Sequence, residues 1–174
     1  PTLTLDTAVE EDDVASLTGD DGSNYLRDGH DDSRIFGLDG DDRLLGNGGN
    51  DQIFGGGGSD FLRGDDGDDF LDGGAGYAIM QGGNGRDIFA FTAETLGGAD
   101  RILDFSRTEG DRIDISAIAE AYGWSDEDAS SYISFSENRK GLLMHLDSPD
   151  ATQDLASFDG LSFGDVTIDD IDIA

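Results

Sequence analysis

The chain has 174 residues, of which 40 are acidic and 10 are basic, so its formal net charge at pH 7 is −30. This excess of like charge opposes a compact state unless a cation is taken up, and it excludes nucleic-acid phosphate and anionic membrane surfaces as partners. There is no cysteine and no run of about 20 apolar residues, so neither a disulfide framework nor a transmembrane segment is expected.

Residues 1–18 are predicted to be an N-terminal lead-in segment. They begin Pro1-Thr2-Leu3 and lack the basic and apolar stretches of a signal peptide. Because the sequence does not start with methionine, we expect a piece of a longer protein.

A strict nine-residue repeat follows from Gly19 to Ala90. Each unit reads Gly, Gly or Asp, any residue, Gly, any residue, Asp, any residue, an apolar residue, any residue. The eight units begin at Gly19, Asp28, Gly37, Gly46, Gly55, Gly64, Gly73 and Gly82. The apolar eighth positions are Leu26, Ile35, Leu44, Ile53, Leu62, Leu71, Met80 and Phe89. One apolar residue per unit cannot form a core alone, so the pattern predicts stacked units that bury a continuous apolar ladder.

The sixth position carries the acidic side chains of the repeat. It reads Asn24, Ser33, Asp42, Asp51, Asp60, Asp69, Ala78 and Asp87. If two units make one turn, loops eighteen residues apart lie about 4.8 Å from each other, and their stacked carboxylates repel. A divalent cation reverses that repulsion. Calcium suits the site because it accepts six to eight hard oxygen ligands, whereas magnesium demands a tight octahedron.

These units resemble the calcium-binding nonapeptides of the repeats-in-toxin (RTX) family. The resemblance implies an all-β fold, a parallel β-roll (β-solenoid) of about eight repeats over residues 19–90, with several calcium ions between successive loops. It implies metal ligands from position six and from the glycines at positions one and four. These residues are Asn24, Asp42, Asp51, Asp60, Asp69 and Asp87, with Gly37, Gly40, Gly46, Gly49, Gly55, Gly58, Gly64, Gly67, Gly82 and Gly85.

The resemblance to the RTX β-roll implies that the position-six residues lie in two columns. Asn24, Asp42, Asp60 and Ala78 form the first column, and Ser33, Asp51, Asp69 and Asp87 form the second. Strong sites are expected at the pairs Asp42/Asp60, Asp51/Asp69 and Asp69/Asp87. Weaker or absent sites are expected where Asn24 or Ser33 is one partner, and Ala78 removes one ligand from the interval between Asp60 and Ala78.

Residues 91–174 are predicted to be a C-terminal cap and secretion target region. Strand-like alternation is found at 100–105 and 110–116, and Ser116 is placed as the cap of a short helix that ends at Gly123. A second helix start is predicted at Ser125 and Asp128, a hairpin joins 132–135 to 142–146, and final strands are expected at 161–163 and 166–168.

This half resembles the target regions of type I secretion substrates, where Asp-x-Ile-x-Asp-Phe is followed by Gly-Asp-x-Ile-Asp-Leu-Ser. The matching segments are Asp100 to Phe105 and Gly110 to Ser116, with Leu103 before Asp104 and with Ile115 where leucine is typical. The layout is also similar to the R-modules of alginate C-5 epimerases and to the C-terminal regions of serralysin-type proteases and RTX adhesins.

No catalytic residues are predicted. The only imidazoles are His30, expected in a solvated loop, and His145, expected to face solvent from a strand. Neither lies in a zinc-protease helix motif. The chain is therefore predicted to be a non-catalytic module, and an enzyme is one candidate for its parent protein.

A possible sugar-binding surface is predicted on the odd-numbered units. Positions seven and nine there should point outward and include Tyr25, Arg27, Arg43, Phe61 and Arg63, which we call the arginine face. Arginines between aromatic rings could hold an anionic polysaccharide by pairing and stacking. Alternatively, the apolar members pack under the C-terminal half and the arginines neutralise neighbouring aspartates.

Two functions therefore remain open. The first is a module that folds on extracellular calcium after passing the type I secretion apparatus, and that supports export and stability of a larger secreted protein. The second is a calcium-dependent module that binds an alginate-like polyuronate, or the end-domain of a secreted adhesin. Both predict an extracellular bacterial location.

Overall fold

The computed structural model describes residues 4–5, 14–92, 98–124, 131–147 and 152–173. The strands are β1 (Thr4–Leu5), β2 (Ala15–Thr18), β3 (Tyr25–Arg27), β4 (Ser33–Asp39), β5 (Arg43–Gly48), β6 (Gln52–Asp66), β7 (Phe70–Asp72), β8 (Ala75–Asn84), β9 (Ile88–Ala90), β10 (Asp100–Ile102), β11 (Arg112–Asp114), β12 (Ile133–Glu137), β13 (Gly141–Asp147), β14 (Thr152–Asp159) and β15 (Ile171–Asp172). One α-helix, α1 (Ser116–Tyr122), and one 3-10 helix (Ile168–Asp170) complete the described elements.

The strands stack in parallel as a solenoid with two strand columns. The first strand column contains, in order, β2, β4, the first part of β6, β7, β9, β11 and β15. The second contains β3, β5, the second part of β6, β8, β10 and β14. Tyr25 pairs with Arg43 and Arg43 with Phe61, a step of two nonapeptides. The predicted parallel β-roll with two units per turn is therefore confirmed.

The core is the ladder of eighth-position side chains. Leu26 is 4% exposed, and the seven residues that follow it at this position are fully buried. Ile102, Ile113, Phe158 and Ile171 continue the ladder outside the repeat. Burying one such side chain contributes about 1.5–3 kcal/mol, so the stacked turns stabilise one another although no single turn has a core.

The stacking extends beyond the nine-residue spacing on both sides. β2, in the predicted lead-in, already pairs in register with β4. After Ala90, β10 stacks on β8 through Arg101 and Ile79, and β11 stacks on β9 through Arg112 and Ile88. The end of the repeat at residue 90 is thus a change in spacing, and the sheet continues through it.

The predicted helix is confirmed, but its cap is different from the expected one. α1 ends at Gly123, whose φ of 66° gives the left-handed C-cap. The N-cap residue is Ile115, and Ser116 instead donates its backbone N–H to Asp114 Oδ1 at 2.8 Å. The Ser116 cap was therefore wrong, because the aspartate two residues earlier supplies the oxygen. The helix start at Ser125 and Asp128 lies outside the described residues.

The C-terminal strands are partly as predicted. β12 and β13 form the expected antiparallel hairpin. β14, which the sequence did not predict, joins this hairpin to the roll by pairing with both β13 and β10. The strands expected at 161–163 and 166–168 are wrong, since the chain turns at Gly164 with φ of 94° and keeps only a bridge from Phe163 to Val166.

Candidate calcium sites

The position-six side chains line two buried columns, as predicted. All of the aspartates in them are at most 4% exposed, and the structure adds a further aspartate to each column. The first column runs Asn24, Asp42, Asp60, Ala78, Asp100, and the second runs Ser33, Asp51, Asp69, Asp87, Asp111. We keep the names first column and second column for these two sets.

One carboxylate oxygen of each aspartate is bound to the preceding turn. Oδ1 of Asp60 accepts the backbone N–H of Asp42 at 2.9 Å, and Oδ1 of Asp69 accepts that of Asp51 at 2.8 Å. The same bond, at 2.7–3.0 Å, is made by Oδ1 of Asp42, Asp51, Asp87, Asp100 and Asp111. This bond fixes the carboxylates in position before any ion is considered.

The other carboxylate oxygen is left without a partner at six positions. Within the part of the chain that the structure describes, Oδ2 is buried and accepts no hydrogen bond in Asp42, Asp51, Asp60, Asp69, Asp87 and Asp100. Leaving a charged buried group unpaired costs more than the roughly 1–3 kcal/mol of a neutral polar group. Without a cation the columns are therefore electrostatically incomplete.

The first-position glycines allow each unpartnered oxygen to lie close to the backbone. A Cβ added at Gly55 would lie 2.6 Å from Asp60 Oδ2 and 2.5 Å from the carbonyl oxygen of Gly73. The same position in Gly37, Gly46, Gly64 and Gly82 also faces the Oδ2 of its own unit. Carboxylate and carbonyl oxygens thus gather around each first-position glycine, where no side chain fits, and oxygen atoms are the ligands that a hard cation needs.

The fourth-position glycines shape the loops. Gly58 has φ of 129° and Gly67 has φ of 139°, values that favour glycine. A Cβ at Gly58 would collide with the carbonyl oxygen of Gly40 in the turn below. Gly40, Gly49 and Gly85 share the positive φ. The loops can stack closely only because these residues are glycines, and their role as carbonyl ligands stays a prediction.

Burial raises the pKa of the position-six carboxyls. It raises the pKa of Asp51 and Asp60 to about 6, and that of Asp69, Asp87 and Asp100 to about 7, against the opposing effect of the backbone hydrogen bonds. The pKa of Asp42 is raised for the same reason. Without a counter-ion the buried anions are disfavoured, so a bound cation would stabilise the roll.

The donors fit calcium and do not fit softer metals. Among the described residues no group of three or more histidine, cysteine, aspartate or glutamate side chains converges on one point. Backbone carbonyl oxygens must therefore complete the ligand set around one or two carboxylates. Oxygen ligands of this kind suit calcium, whereas zinc and copper sites use imidazole and thiolate.

The neutral members of the columns have their own partners. Asn24 Oδ1 accepts the N–H of Asp20 at 2.7 Å, while the Ser33 N–H and Oγ both donate to Asp51 Oδ1, at 2.8 and 2.7 Å. Ala78 contributes no oxygen. The geometry agrees with unequal sites, but the order of their strengths stays a prediction.

Sequence analysis missed Asp100 and Asp111 as members of the columns. Asp100 stacks on Ala78 and Asp111 on Asp87 with spacings of 22 and 24 residues, instead of the 18 within the repeat. The sequence does contain a signal, because Gly98-Ala99-Asp100-Arg101-Ile102 has the Gly-x-Asp-x-apolar order of positions four to eight. Both segments were interpreted as strands of a target region only.

The arginine face forms two adjacent rows, as the register predicted. Tyr25, Arg43 and Phe61 pair across β3, β5 and β6, and beside them Arg27 and Arg63 flank Leu45. Tyr25 is 60% exposed, whereas Leu45 is buried. The guanidinium of Arg43 lies 4.6 Å from the Phe61 ring centroid, Arg27 Nε donates to Asn47 Oδ1 at 3.2 Å, and Arg63 forms an ion pair with Asp65. All three arginines thus have intramolecular contacts.

His145 was expected to face solvent, but its side chain is only 15% exposed and its ring is hydrogen-bonded on both sides. Its ring joins Ser136 Oγ at 2.5 Å and Asp154 Oδ1 at 2.7 Å. The sequence of hydroxyl, imidazole and carboxylate is the same as in a nucleophilic triad. The same three strands carry a second chain of this kind without histidine, from Ser134 and Thr152 to Asp147. We interpret both as cross-strand contacts that hold the hairpin against β14. His30 is exposed in its loop, as expected.

No helix within the described residues is long and apolar enough to cross a membrane. A search of curated protein sequences gave no match. The family model of the RTX calcium-binding nonapeptide repeat matches residues 18–53 and 45–80.

Two solved structures from Azotobacter vinelandii mannuronan C5-epimerase are similar to the chain. The AlgE6R3 subunit is 34% identical over 84% of this chain and 81% of that one, with a TM-score of 0.58. The AlgE6R2 subunit is 23% identical over 95% of each chain, with a TM-score of 0.50, and supports the fold alone. The stacked loops, the match to the family model and the similarity to AlgE6R3 agree. This chain therefore belongs to the RTX family of calcium-binding nonapeptide-repeat modules.

Proposed function

We propose that this module binds several calcium ions between its loops and reaches its native fold only when it does so. The observation that carries the proposal is the set of six buried Oδ2 atoms without a partner. A bound ion supplies positive charge between carboxylate and carbonyl oxygens. The binding free energy then becomes folding free energy, because the unfolded chain has no assembled site.

The ligands would come from the columns and the glycine loops. The Oδ1 bonds orient each carboxylate, and the first-position glycines let its Oδ2 lie close to the backbone. Asp42, Asp60, Asp51, Asp69 and Asp87 would hold ions with neighbouring carbonyls. These residues would bind calcium ions, and none of them is assigned a catalytic role.

We further propose that the module belongs to a larger secreted protein exported by a type I apparatus. Its net charge of −30 favours an open chain where calcium is scarce. Extracellular modules bind calcium with dissociation constants of about 10⁻⁴ to 10⁻³ M, so folding would follow export. The folded roll would then support the stability of its parent.

Circular dichroism during a calcium titration tests the folding proposal. The calcium-free chain should be largely unfolded, and β-structure should appear as calcium rises to millimolar levels. Magnesium at the same concentration is the matched control and should be much less effective. A full β-spectrum in excess chelator would overturn the proposal.

A second candidate function is calcium-dependent binding of a polyuronate. Its support is the 34% identity to a subunit of a mannuronan C5-epimerase, together with the arginine face on one side of the roll. Uronate carboxylates could pair with Arg27, Arg43 and Arg63 while sugar rings stack on Tyr25. Exposed ion pairs contribute under about 1 kcal/mol each, so binding would be weak and sensitive to salt.

Calorimetry with alginate oligomers in millimolar calcium tests this candidate. The test variant replaces Arg27, Arg43 and Arg63 with alanine. The matched control replaces Arg34, Arg86 and Arg139, which changes the charge equally elsewhere. Loss of heat in the test variant alone supports the face as a binding site. No heat with the wild type, or equal heat with both variants, contradicts it.

A further inference from the structure

Asp100 lies outside every nonapeptide, yet it makes the contacts of a position-six aspartate. Its Oδ1 accepts the backbone N–H of Ala78 at 2.8 Å, as Asp60 does for Asp42. The residue is fully buried, and its Oδ2 has no partner among the described residues. A single buried carboxylate oxygen left in this state points to a missing ligand.

The loop before Asp100 returns to the register of the repeat. A Cβ added at Gly98 would collide with the carbonyl oxygen of Gly76, and one at Gly76 would collide with that of Gly58. The glycine carbonyls therefore stack here as they do inside the repeat. Gly98 lies over Gly76 with the same 22-residue step that places Asp100 on Ala78.

Gly73 has no carboxylate oxygen from its own unit beside it, because position six of that unit is Ala78. A Cβ at Gly73 would lie 2.5 Å from the Ala78 methyl carbon and 3.1 Å from Asp100 Oδ2. Asp100 thus supplies the carboxylate oxygen that Ala78 lacks. The nearby carboxylates of Asp60 and Asp72 make the surroundings more negative and contribute to the raised pKa of Asp100.

We propose that Asp100 holds a calcium ion beside Gly73, one turn beyond the last nonapeptide site of the first column. The proposal rests on the proposed function, since it extends the same kind of site. It corrects the expectation that the column loses its ligand at Ala78. The four-residue insertion would then change the spacing of the repeat, and the row of calcium ions along the first column would continue past it.

The second column ends differently. Asp111 Oδ1 accepts the N–H of Asp87 at 3.0 Å, but its Oδ2 accepts the N–H of Ser106 at 2.7 Å. Both oxygens are therefore satisfied by the protein. Asp111 should hold no ion, and it is a matched control for Asp100 in burial and position.

Counting calcium ions per chain by calorimetry at saturation tests the proposal on the Asp100→Asn and Asp111→Asn variants. Asparagine can still accept the backbone bond through its Oδ1. We expect Asp100→Asn to bind one ion fewer than the wild type and Asp111→Asn to bind the same number. An unchanged number in Asp100→Asn would overturn the proposal.

Anomalous diffraction from calcium-loaded wild-type crystals removes any dependence on how the variants fold. A calcium peak within bonding distance of Asp100 Oδ2 is the expected result. Peaks at the nonapeptide loops with none at Asp100 would overturn this inference and leave the proposed function intact. A wild type that binds no calcium at all would overturn the proposed function itself.

Discussion

The nonapeptide region and the C-terminal continuation of the roll share one sheet but balance their charges differently. Between Asp42 and Asp87 the buried carboxylates keep an unpaired oxygen. In the continuation, Oδ2 of Asp111 accepts the N–H of Ser106, and of the described column carboxylates there only Asp100 keeps an unpaired oxygen. Arginines also pair with acidic side chains of the continuation at Arg101–Asp159, Arg107–Asp170 and Arg112–Asp172. The same stacked geometry can therefore be completed by an ion or by the protein itself, and calcium dependence should be concentrated in the repeat and at Asp100.

The largest expected effect comes from adding a methyl group where a carboxylate oxygen already lies close to a glycine. Gly55→Ala places a methyl 2.6 Å from Asp60 Oδ2 and 2.5 Å from a backbone oxygen that cannot move freely. Overpacking of this kind costs about 1–3 kcal/mol, and the adjacent ion is lost as well. Calcium-induced β-structure should be absent or shifted to far higher calcium. Gly29→Ala is the control, because a Cβ there meets nothing within 4 Å. Equal calcium midpoints for the two variants would contradict a role in calcium binding for the close contact between Gly55 and Asp60.

Removing one carboxylate should have a position-dependent effect. Asp69 lies between Asp51 and Asp87, both with an unpaired oxygen, whereas Asp42 has Asn24 on one side. Asp69→Ala should raise the calcium midpoint of folding more than Asp42→Ala does. A site filled at ten times its dissociation constant contributes about 1.4 kcal/mol, which sets the scale of each loss. Indistinguishable midpoints would show that the carbonyl oxygens bind calcium without help from the columns.

The calcium-free chain should gain stability as the pH falls. An unfolded aspartate titrates near 3.8, while in the folded roll burial raises the pKa of Asp69 and Asp87 to about 7. The folded state thus binds more protons between these values, so its stability is lost as the pH rises from about 4 to 7. β-structure in chelator should be greater at pH 5 than at pH 8. The apparent affinity for calcium should, in contrast, be higher at pH 8 than at pH 5. A chelated chain with the same spectrum at both pH values would contradict buried ionisable columns.

A smaller effect is expected from breaking an ion pair of the continuation. Arg112 pairs with Asp172 and also donates to the Asp169 carbonyl, so Arg112→Ala should lower stability by about 1 kcal/mol. The calcium count should not change, because no unpaired Oδ2 depends on this contact. Arg86→Ala, which breaks a more exposed pair with Asp68, is the control and should cost less. Loss of a calcium ion in Arg112→Ala would show that calcium binding in the nonapeptide region depends on the ion pairs of the continuation.

Much of the roll could be predicted because one period fixes both the core and the columns. Leu26 to Phe89 recur every nine residues, so their burial and the stacking of Asp42 on Asp60 follow from the spacing alone. Asp100 was missed because an insertion changes that spacing to 22 residues. The sequence also could not reveal which aspartates find a protein donor, since Ser106 reaches Asp111 only after the chain turns.

The C-terminal errors have local causes. The expected cap at Ser116 was replaced by Asp114, which accepts the Ser116 N–H. The segment around Val166 contains alternating apolar residues, but Asp170 accepts the N–H of Thr167 and closes a 3-10 turn there. β14 carries little alternation and is a strand because β10 and β13 leave room for it between them. Tertiary pairing decided these elements, and it cannot be inferred from the segments themselves.

Hydrogen exchange measured by peptide mass spectrometry, with calcium and in excess chelator, tests the central claim most directly. The amides of Asp42, Asp51 and Asp69 each donate to a column carboxylate. The account predicts strong protection of these amides in millimolar calcium and rapid exchange in chelator at neutral pH. Equal protection in both conditions would show that the columns are complete without an ion, and would contradict calcium-driven folding.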